Sequence, residues 1–283
     1  MLTPRYYFAD DFRSFYDYFL SQPHVAKRFQ KGDYLWSPGA PYEKIHYIVS
    51  GAAMHYADHE SGRRKIISFH GPGTVFPGYR PNDFRVELIL TTVALSDMQV
   101  LEFTVSQFKA MFRTNADLSE QVVNWHSMYI NRFLFETIHQ AYNPSLTKLC
   151  NLLYLLTINQ PANSGLVIDM TQDELAEILG MSRVQITREL GALRRRGIVE
   201  TLRGKLIVSD LPALSSLCTQ EASGQRPLMS FYLSSRPPTA SFEADGQLIL
   251  CAKRQSPRCA CFEACEERRG PAPKRTANLI EMI

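Results

Sequence analysis

Residues 171–190 read TQDELAEILGMSRVQITREL, and this stretch sets how the rest of the chain is understood. Thr171 followed three residues later by Glu174 is a capping box, so a helix starts there. Leu175, Ala176, Ile178 and Leu179 supply its inner face, and Gly180 allows a sharp left-handed turn. Ser182 then caps a second helix whose inner face is Ile186, Leu190 and Leu193, leaving Arg183, Gln185, Thr187 and Arg188 outside. Two short helices hinged at a glycine predict a helix-turn-helix.

Charge points the same way. Residues 183–205 hold seven basic and two acidic side chains, while residues 1–142 carry 14 of each and residues 219–283 carry nine and seven. A basic run alone is usually a solvated face, but here it follows the capped helix pair. Arginine can donate two hydrogen bonds to guanine and glutamine matches adenine, so Arg183, Gln185, Thr187 and Arg188 are candidate base readers in a major groove. Candidate phosphate contacts are Thr171 and Ser182 at the two helix starts, Arg195 in the run Arg194–Arg196, and Arg203 and Lys205 in the hairpin beyond. Double-stranded DNA is the expected partner.

Composition bounds the alternatives. The chain has 283 residues, 45% hydrophobic and 21% charged, with a net charge of only +3; that excludes global disorder and suits two domains plus an appendage. No apolar run approaches the roughly 18 residues of a membrane helix, and the start lacks a secretory pattern, so a soluble, cytoplasmic protein is expected. The six cysteines, at 150, 218, 251, 259, 261 and 265, do not form a secreted disulfide framework.

From about Val25 to Thr104 short β runs alternate with turns. Ile45, Tyr47 and Val49 precede Gly51; Met54 and Tyr56 lead into a turn at Asp58–Gly62; Ile66, Ile67 and Phe69 precede Gly71-Pro72-Gly73; a β-rich run follows from Val86 to Phe103. This predicts an antiparallel jelly roll. From Val105 to Ala141 neither Gly nor Pro interrupts a helical period. Leu118, Val122, Trp125 and Tyr129 form one stripe and Ile130, Phe133, Leu134, Thr137, Ile138 and Ala141 a second, so the helix must cover two surfaces, one of them a second copy of itself. Asn143-Pro144 ends it, and an apolar helix carrying Leu146, Leu149, Leu152, Leu153, Leu155 and Leu156 opens the next domain. The expected class is α+β, divided as a 1–104 β-roll sensor (a double-stranded β-helix), a 105–142 dimerisation helix, a 143–218 winged helix-turn-helix and a 219–283 tail of low order.

Lys31-Gly32-Asp33 with Pro38-Gly39, Ile45–Gly51 (IHYIVSG), Asp58–Lys65 (DHESGRRK), Gly71–Gly78 (GPGTVFPG) and the helix-turn-helix together resemble the Crp/Fnr family of bacterial transcription regulators across residues 20–217. The resemblance implies a cyclic-nucleotide-binding-like sensor domain, a homodimer, an allosteric small effector, contact with RNA polymerase and a near-palindromic DNA site. It places Val184 beside Arg183 and Arg188 among the base-reading positions, where a glutamate is common in the family; valine removes an acceptor for cytosine.

The family's cyclic-nucleotide members carry a Gly-Glu pair and then Arg-Ser or Arg-Thr. Residues 73–93 (GTVFPGYRPNDFRVELILTTV) keep Arg80 and Arg85 without that pattern, so cyclic AMP is not the expected effector. The first cysteine is Cys150, too late for the family's usual iron–sulfur site; His126 and His55 are candidate haem ligands. Ala141-Tyr142-Asn143-Pro144 is similar to the branch that senses halogenated phenols, which implies an aromatic effector with Tyr79, Arg80, Trp125 and Tyr129 as candidate contacts. No cofactor is assigned. The alternatives are a cupin-like metal enzyme using His46, His55, His59, Glu60 and His70, and a metal or redox sensor using Cys251, Cys259, Cys261 and Cys265, whose spacing matches no familiar ligand set.

Overall fold

A computed structural model describes residues 2–82, 84–158, 166–202, 204–224, 240–242 and 248–250. Nine strands build the first half: β1 (Tyr7–Phe8), β2 (Val25–Phe29), β3 (Tyr34–Trp36), β4 (Lys44–Ser50), β5 (Ala53–Asp58), β6 (Arg64–His70), β7 (Val75–Phe76), β8 (Leu90–Ala94) and β9 (Met98–Thr104). They form two sheets, ordered β1-β6-β5-β8-β3 and β2-β9-β4-β7. All pairings are antiparallel except β1 with β6. This is the expected jelly-roll sandwich.

The hairpin is β5–β6, closed by the turn after Asp58, whereas Gly51 carries the chain from one sheet to the other. A Cβ at Gly51 would lie 2.3 Å from the Asp97 carbonyl oxygen, so only glycine fits that corner. Strand β4 does not alternate cleanly between core and solvent: Ile45 and Tyr47 pack with Phe19 and Phe103, while His46 and Ile48 are buried as well. A strand covered on both faces loses its polar side. The start of the expected β run, from Val86, falls instead in a 3-10 turn, Arg85–Ile89, ahead of β8, with Val86, Leu88 and Ile89 exposed.

The expected unbroken helix from Val105 is two helices, α2 (Val105–Thr114), after the short α1 (Tyr16–Ser21), and α3 (Ala116–Tyr142). Asn115 sits extended between them and its side chain accepts from the Leu118 amide, starting α3 afresh. Asparagine's preference for the N-cap outweighs continuity of the helical period. On α3, Leu118, Val122 and Trp125 are buried, while Ile130, Phe133, Leu134 and Ile138 lie open.

The second half has α4 (Ser145–Ile158), α5 (Gln172–Leu179) and α6 (Arg183–Arg195), a three-stranded sheet β10 (Val167–Ile168), β11 (Val199–Leu202) and β12 (Lys205–Val208) in the order β10-β12-β11, and then α7 (Leu211–Ser216) and α8 (Gln220–Ser223). Leu149, Leu152, Leu153 and Leu155 of α4 pack with Leu175, Ile178, Ile186 and Leu190. The chain stays ordered past residue 218, against expectation. The Thr219 amide donates to Asn151 Oδ1 at 2.9 Å, Asn151 Nδ2 donates back to Thr219 Oγ1 at 3.1 Å, and Ala222 is buried. A buried asparagine that exchanges two hydrogen bonds with the chain end holds it in place.

A separate unit spans Pro227–Ile283. Within it β13 (Ala240–Phe242) and β14 (Leu248–Leu250) pair antiparallel. Cys251, Cys259, Cys261 and Cys265 lie outside the described residues. Among the described residues no helix is long and apolar enough to cross a membrane.

Candidate nucleic-acid interface and sensor cavity

Helix α5 begins as anticipated. Thr171 Oγ1 accepts from the Glu174 amide, and Glu174 Oε2 accepts from the Thr171 amide at 2.7 Å. Gly180 ends the helix at φ 63°, in the left-handed region. Helix α6 then starts with a second capping box: Gln185 Oε1 accepts from the Ser182 amide at 2.9 Å and Ser182 Oγ accepts from the Gln185 amide. The spacing Ser182-x-x-Gln185 signals this box, yet the sequence reading assigned Gln185 to the bases alone. Its carbonyl oxygen is already occupied, which leaves the amide nitrogen for an outside acceptor.

The remaining outer face of α6 is open. Val184 is 78% exposed. Arg183 and Arg188 keep 68% of their side chains exposed, although each touches a carboxylate, Arg183 with Asp173 at 3.5 Å and Arg188 with Glu189 at 2.7 Å. A pair exposed on both sides, as Arg183–Asp173 is, contributes about 0–1 kcal/mol, less than one bidentate contact to guanine; Glu189 is only 12% exposed, but the Arg188 guanidinium itself remains open. Both arginines are therefore exchangeable. Thr187 is exposed too, but its hydroxyl donates to Gln172 Oε1 at 2.8 Å and so braces α6 on α5.

The candidate phosphate residues gather around the same face. A cleft of about 320 Å³ between α5, α6 and the β11–β12 hairpin is lined by Thr171, Arg183, Lys205 and Asp173. Arg195 is exposed, Ser182 is engaged as a cap, and Arg203 lies outside the described residues. Arg194, in the same basic run, donates to Thr201 Oγ1 at 3.0 Å and ties α6 to the wing.

The sensor half carries a cavity of about 280 Å³ lined by Trp36, Tyr42, His46, Phe76, Pro77 and Thr92 among others. Arg80 stacks on two of these walls, its guanidinium carbon 3.8 Å from the Tyr42 ring centre and 5.4 Å from that of Trp36. His46 is buried, donates through Nε2 to the Glu102 carboxylate oxygen Oε2 at 3.1 Å, and has no hydrogen-bond partner on Nδ1 among the described residues. Burial lowers its pKa from the ordinary value, and Glu102 only partly offsets this.

The four effector candidates divide between neighbourhoods. Trp125 and Tyr129 stack at 4.9 Å on the seam between α3 and the roll, against Phe8 and His70. Gly78 is what lets Trp125 in, since a Cβ there would sit 2.3 Å from the indole. Tyr79 instead packs on Phe108 and Phe112 of α2, and Arg80 packs on Tyr42 and Trp36, two residues of the cavity wall.

Sequence reading missed two contributors to this seam. The N-terminal segment brings Phe8, Phe12 and Phe19 fully into the roll–helix core; its aromatic spacing fits no single period, so only the tertiary structure reveals its place. Arg132 is 1% exposed, lies 4.4 Å from the Phe133 ring centre, and leaves Nε and Nη1 without hydrogen-bond partners among the described residues. Nothing in a lone arginine between apolar positions distinguishes it from a surface residue.

The ligand set of the cupin-like alternative does not assemble as a donor cluster. His59 and Glu60 sit on the exposed β5–β6 turn, whereas His46, His55 and His70 are buried with separate partners: Glu102, Thr92 and Ser68. Among the described residues no group of three or more metal-ligating side chains converges. His126 Nδ1 faces the Val122 carbonyl at 2.8 Å. Burial pushes the thiols of Cys150 and Cys218 up to about 12, which makes both poor nucleophiles.

Comparison with known proteins agrees with both halves. Residues 26–115 match the model of the cyclic nucleotide-binding domain, and residues 147–217 that of the Crp-like helix-turn-helix domain. The chain is 25% identical over 209 residues to the global nitrogen regulator of Synechocystis sp., covering 70% of this chain and 90% of the relative. FixK2 from Bradyrhizobium japonicum shares the fold with a TM-score of 0.60 at 17% identity, covering 70% of this chain and 98% of that one. CprK complexed with OCPA does so with a TM-score of 0.57 at 20% identity, covering 72% and 93%. A sensor roll, a long helix and a helix-turn-helix with an open basic face, matched by both domain models in the right order, place this chain in the Crp/Fnr family of DNA-binding transcription regulators.

Proposed function

We propose that the chain acts as a homodimer whose two α6 helices read the half-sites of a near-palindromic duplex, switched by a small effector held in the roll. The observation that carries this is the outward set Arg183, Val184, Thr187 and Arg188 on a helix that is capped, sealed beneath by Ile186, Leu190 and Leu193, and flanked by the basic wing. The unpartnered face of α3, with Ile130, Leu134 and Ile138 each more than half exposed, is continuous enough to cover a second copy. Two recognition helices must then lie about one DNA turn, roughly 34 Å, apart. RNA polymerase is the further partner that a regulator of this type engages.

For the effector we favour a compact aromatic molecule in the Trp36–Tyr42–His46–Phe76 cavity, with Arg80, packed on Tyr42, near enough to supply positive charge to an anionic ligand, and Trp125–Tyr129 relaying occupancy along α3. A cavity of about 280 Å³ suits a substituted phenol, and the related fold of CprK has been seen with OCPA bound. Tyr79, braced on α2, is the fourth candidate for this relay.

Selection of bound duplexes from a random pool tests the first reading; a two-fold symmetric sequence with half-sites one turn apart is expected, and recovery of unrelated sequences contradicts it. Titration with substituted phenols, followed by heat and by tryptophan fluorescence, tests the second. Saturable binding that Trp36→Phe strips of its fluorescence change is expected; heat and fluorescence that never saturate rule the aromatic effector out.

A further inference from the structure

Lys65 lies on sensor strand β6, yet its ammonium donates both to the Glu136 carboxylate of α3 and to the Ile178 carbonyl of α5. Gln140, one turn along α3, makes a parallel connection: Nε2 donates to Glu136 Oε1 at 2.9 Å and to the Leu179 carbonyl at 2.8 Å. Tyr6 adds its hydroxyl to Glu136 Oε2 at 2.5 Å. Burial opposes ionisation of Glu136, but Lys65, Tyr6 and Gln140 outweigh it and hold the carboxyl below its ordinary range.

The two carbonyls matter because of where they are. Ile178 and Leu179 form the last turn of α5, where no amide of the same helix is left to satisfy them and the helix dipole is negative. They immediately precede the Gly180 turn into α6. Tyr56, Ile66 and Phe69 of the roll and Phe135 of α3 share one apolar cluster with Leu175, Ile178 and Leu179, so the polar contacts cross a packed boundary. Further along β6, Ser68 pairs with the Tyr129 hydroxyl at 2.6 Å, giving the strand a second attachment to α3.

We propose that Lys65, Glu136 and Gln140 are positioning residues for DNA recognition: they fix the angle of the helix-turn-helix on the long helix without touching DNA. This rests on the dimeric reading above. In a dimer that angle sets the separation of the two α6 helices, so the strut counts only when both half-sites must be met at once. One helix-turn-helix meeting one half-site has no need of it.

The test compares a duplex carrying both selected half-sites with one carrying a single half-site, at fixed salt. Lys65→Met is expected to lower affinity for the two-half-site duplex by about tenfold, the weight of one charge-assisted hydrogen bond, and to leave single-half-site affinity unchanged. Lys65→Arg, which keeps charge and donor, is expected to recover most of the loss. Glu136→Gln, closer in shape, is expected to reproduce the loss if Lys65→Met does not fold, as judged by circular dichroism. Unchanged two-half-site affinity, a gain in affinity, or equal losses on both duplexes would overturn the strut while leaving the regulator reading standing. Wild-type protein that does not distinguish the two duplexes would overturn the dimeric reading and the strut with it.

Discussion

The recognition face and the interior of the roll treat polar side chains in opposite ways. On α6, Arg183 and Arg188 hold carboxylates while remaining 68% exposed, so each can trade its partner for a base or phosphate at little cost. In the roll and its seam, His46, His55, His70 and Arg132 are taken out of water and held among aromatic rings. The first arrangement leaves binding energy to be realised on DNA. The second has already incurred the desolvation cost in the free protein, which suits a sensor whose packing must differ between states.

The comparison can be broken most severely from beneath the recognition face. Leu190 is 1% exposed under α6, and Leu190→Ala is expected to cost about 2–5 kcal/mol; chemical denaturation should show the loss together with loss of DNA binding. A smaller effect should appear in the seam with the reverse sign. Arg132→Met removes a buried guanidinium with two unsatisfied nitrogens, so thermal unfolding is expected to shift upward by the equivalent of about 1–4 kcal/mol. A drop instead would mean that the ring contacts of Arg132 outweigh its desolvation.

Acid sharpens the contrast further. Burial lowers the His55 pKa from 6.5 to about 3, and His70 moves in the same direction for the same reason. Between those values the unfolded chain takes a proton that the folded roll refuses. The stability from His55 is therefore whole above pH 6.5 and declines as pH falls toward the folded value. His55→Gln is expected to flatten the fall in unfolding free energy, measured by urea titration, by about 1–3 kcal/mol across this window; an unchanged slope would show the imidazole is not the group responsible. The smallest effect is at the base of the Arg188 side chain, where the half-buried Glu189 holds the guanidinium. Glu189→Gln should alter folding stability by no more than about 1 kcal/mol while freeing Arg188, which denaturation in parallel with DNA titration would reveal.

What the sequence disclosed follows this division. Helix caps, a hinge glycine and an inner apolar face are signals confined to a few consecutive residues, so α5, the Gly180 turn and α6 were legible, and with them the side chains of the open outer face of α6. Gln185 shows the limit even there, because an outward glutamine suits a base and a capping box equally. The sensor depends on residues far apart in the chain. Phe8 reaches His70, Lys65 reaches Ile178, and Arg80 reaches Trp36 and Tyr42 only after the strands have paired. Periodicity therefore gave the roll and the long helix but not the cavity, the buried arginine or the break at Asn115.

The claim on which the account turns is that the exposed arginines of α6 read sequence. The direct test is the affinity of wild-type and Arg188→Ala protein for a selected duplex and for a random one at the same salt concentration. Arg188→Ala should weaken binding to the selected duplex by about 1–3 kcal/mol and leave binding to random DNA nearly unchanged. Equal losses on both duplexes would show that Arg188 contributes only charge and would contradict the assignment of α6 as the sequence reader.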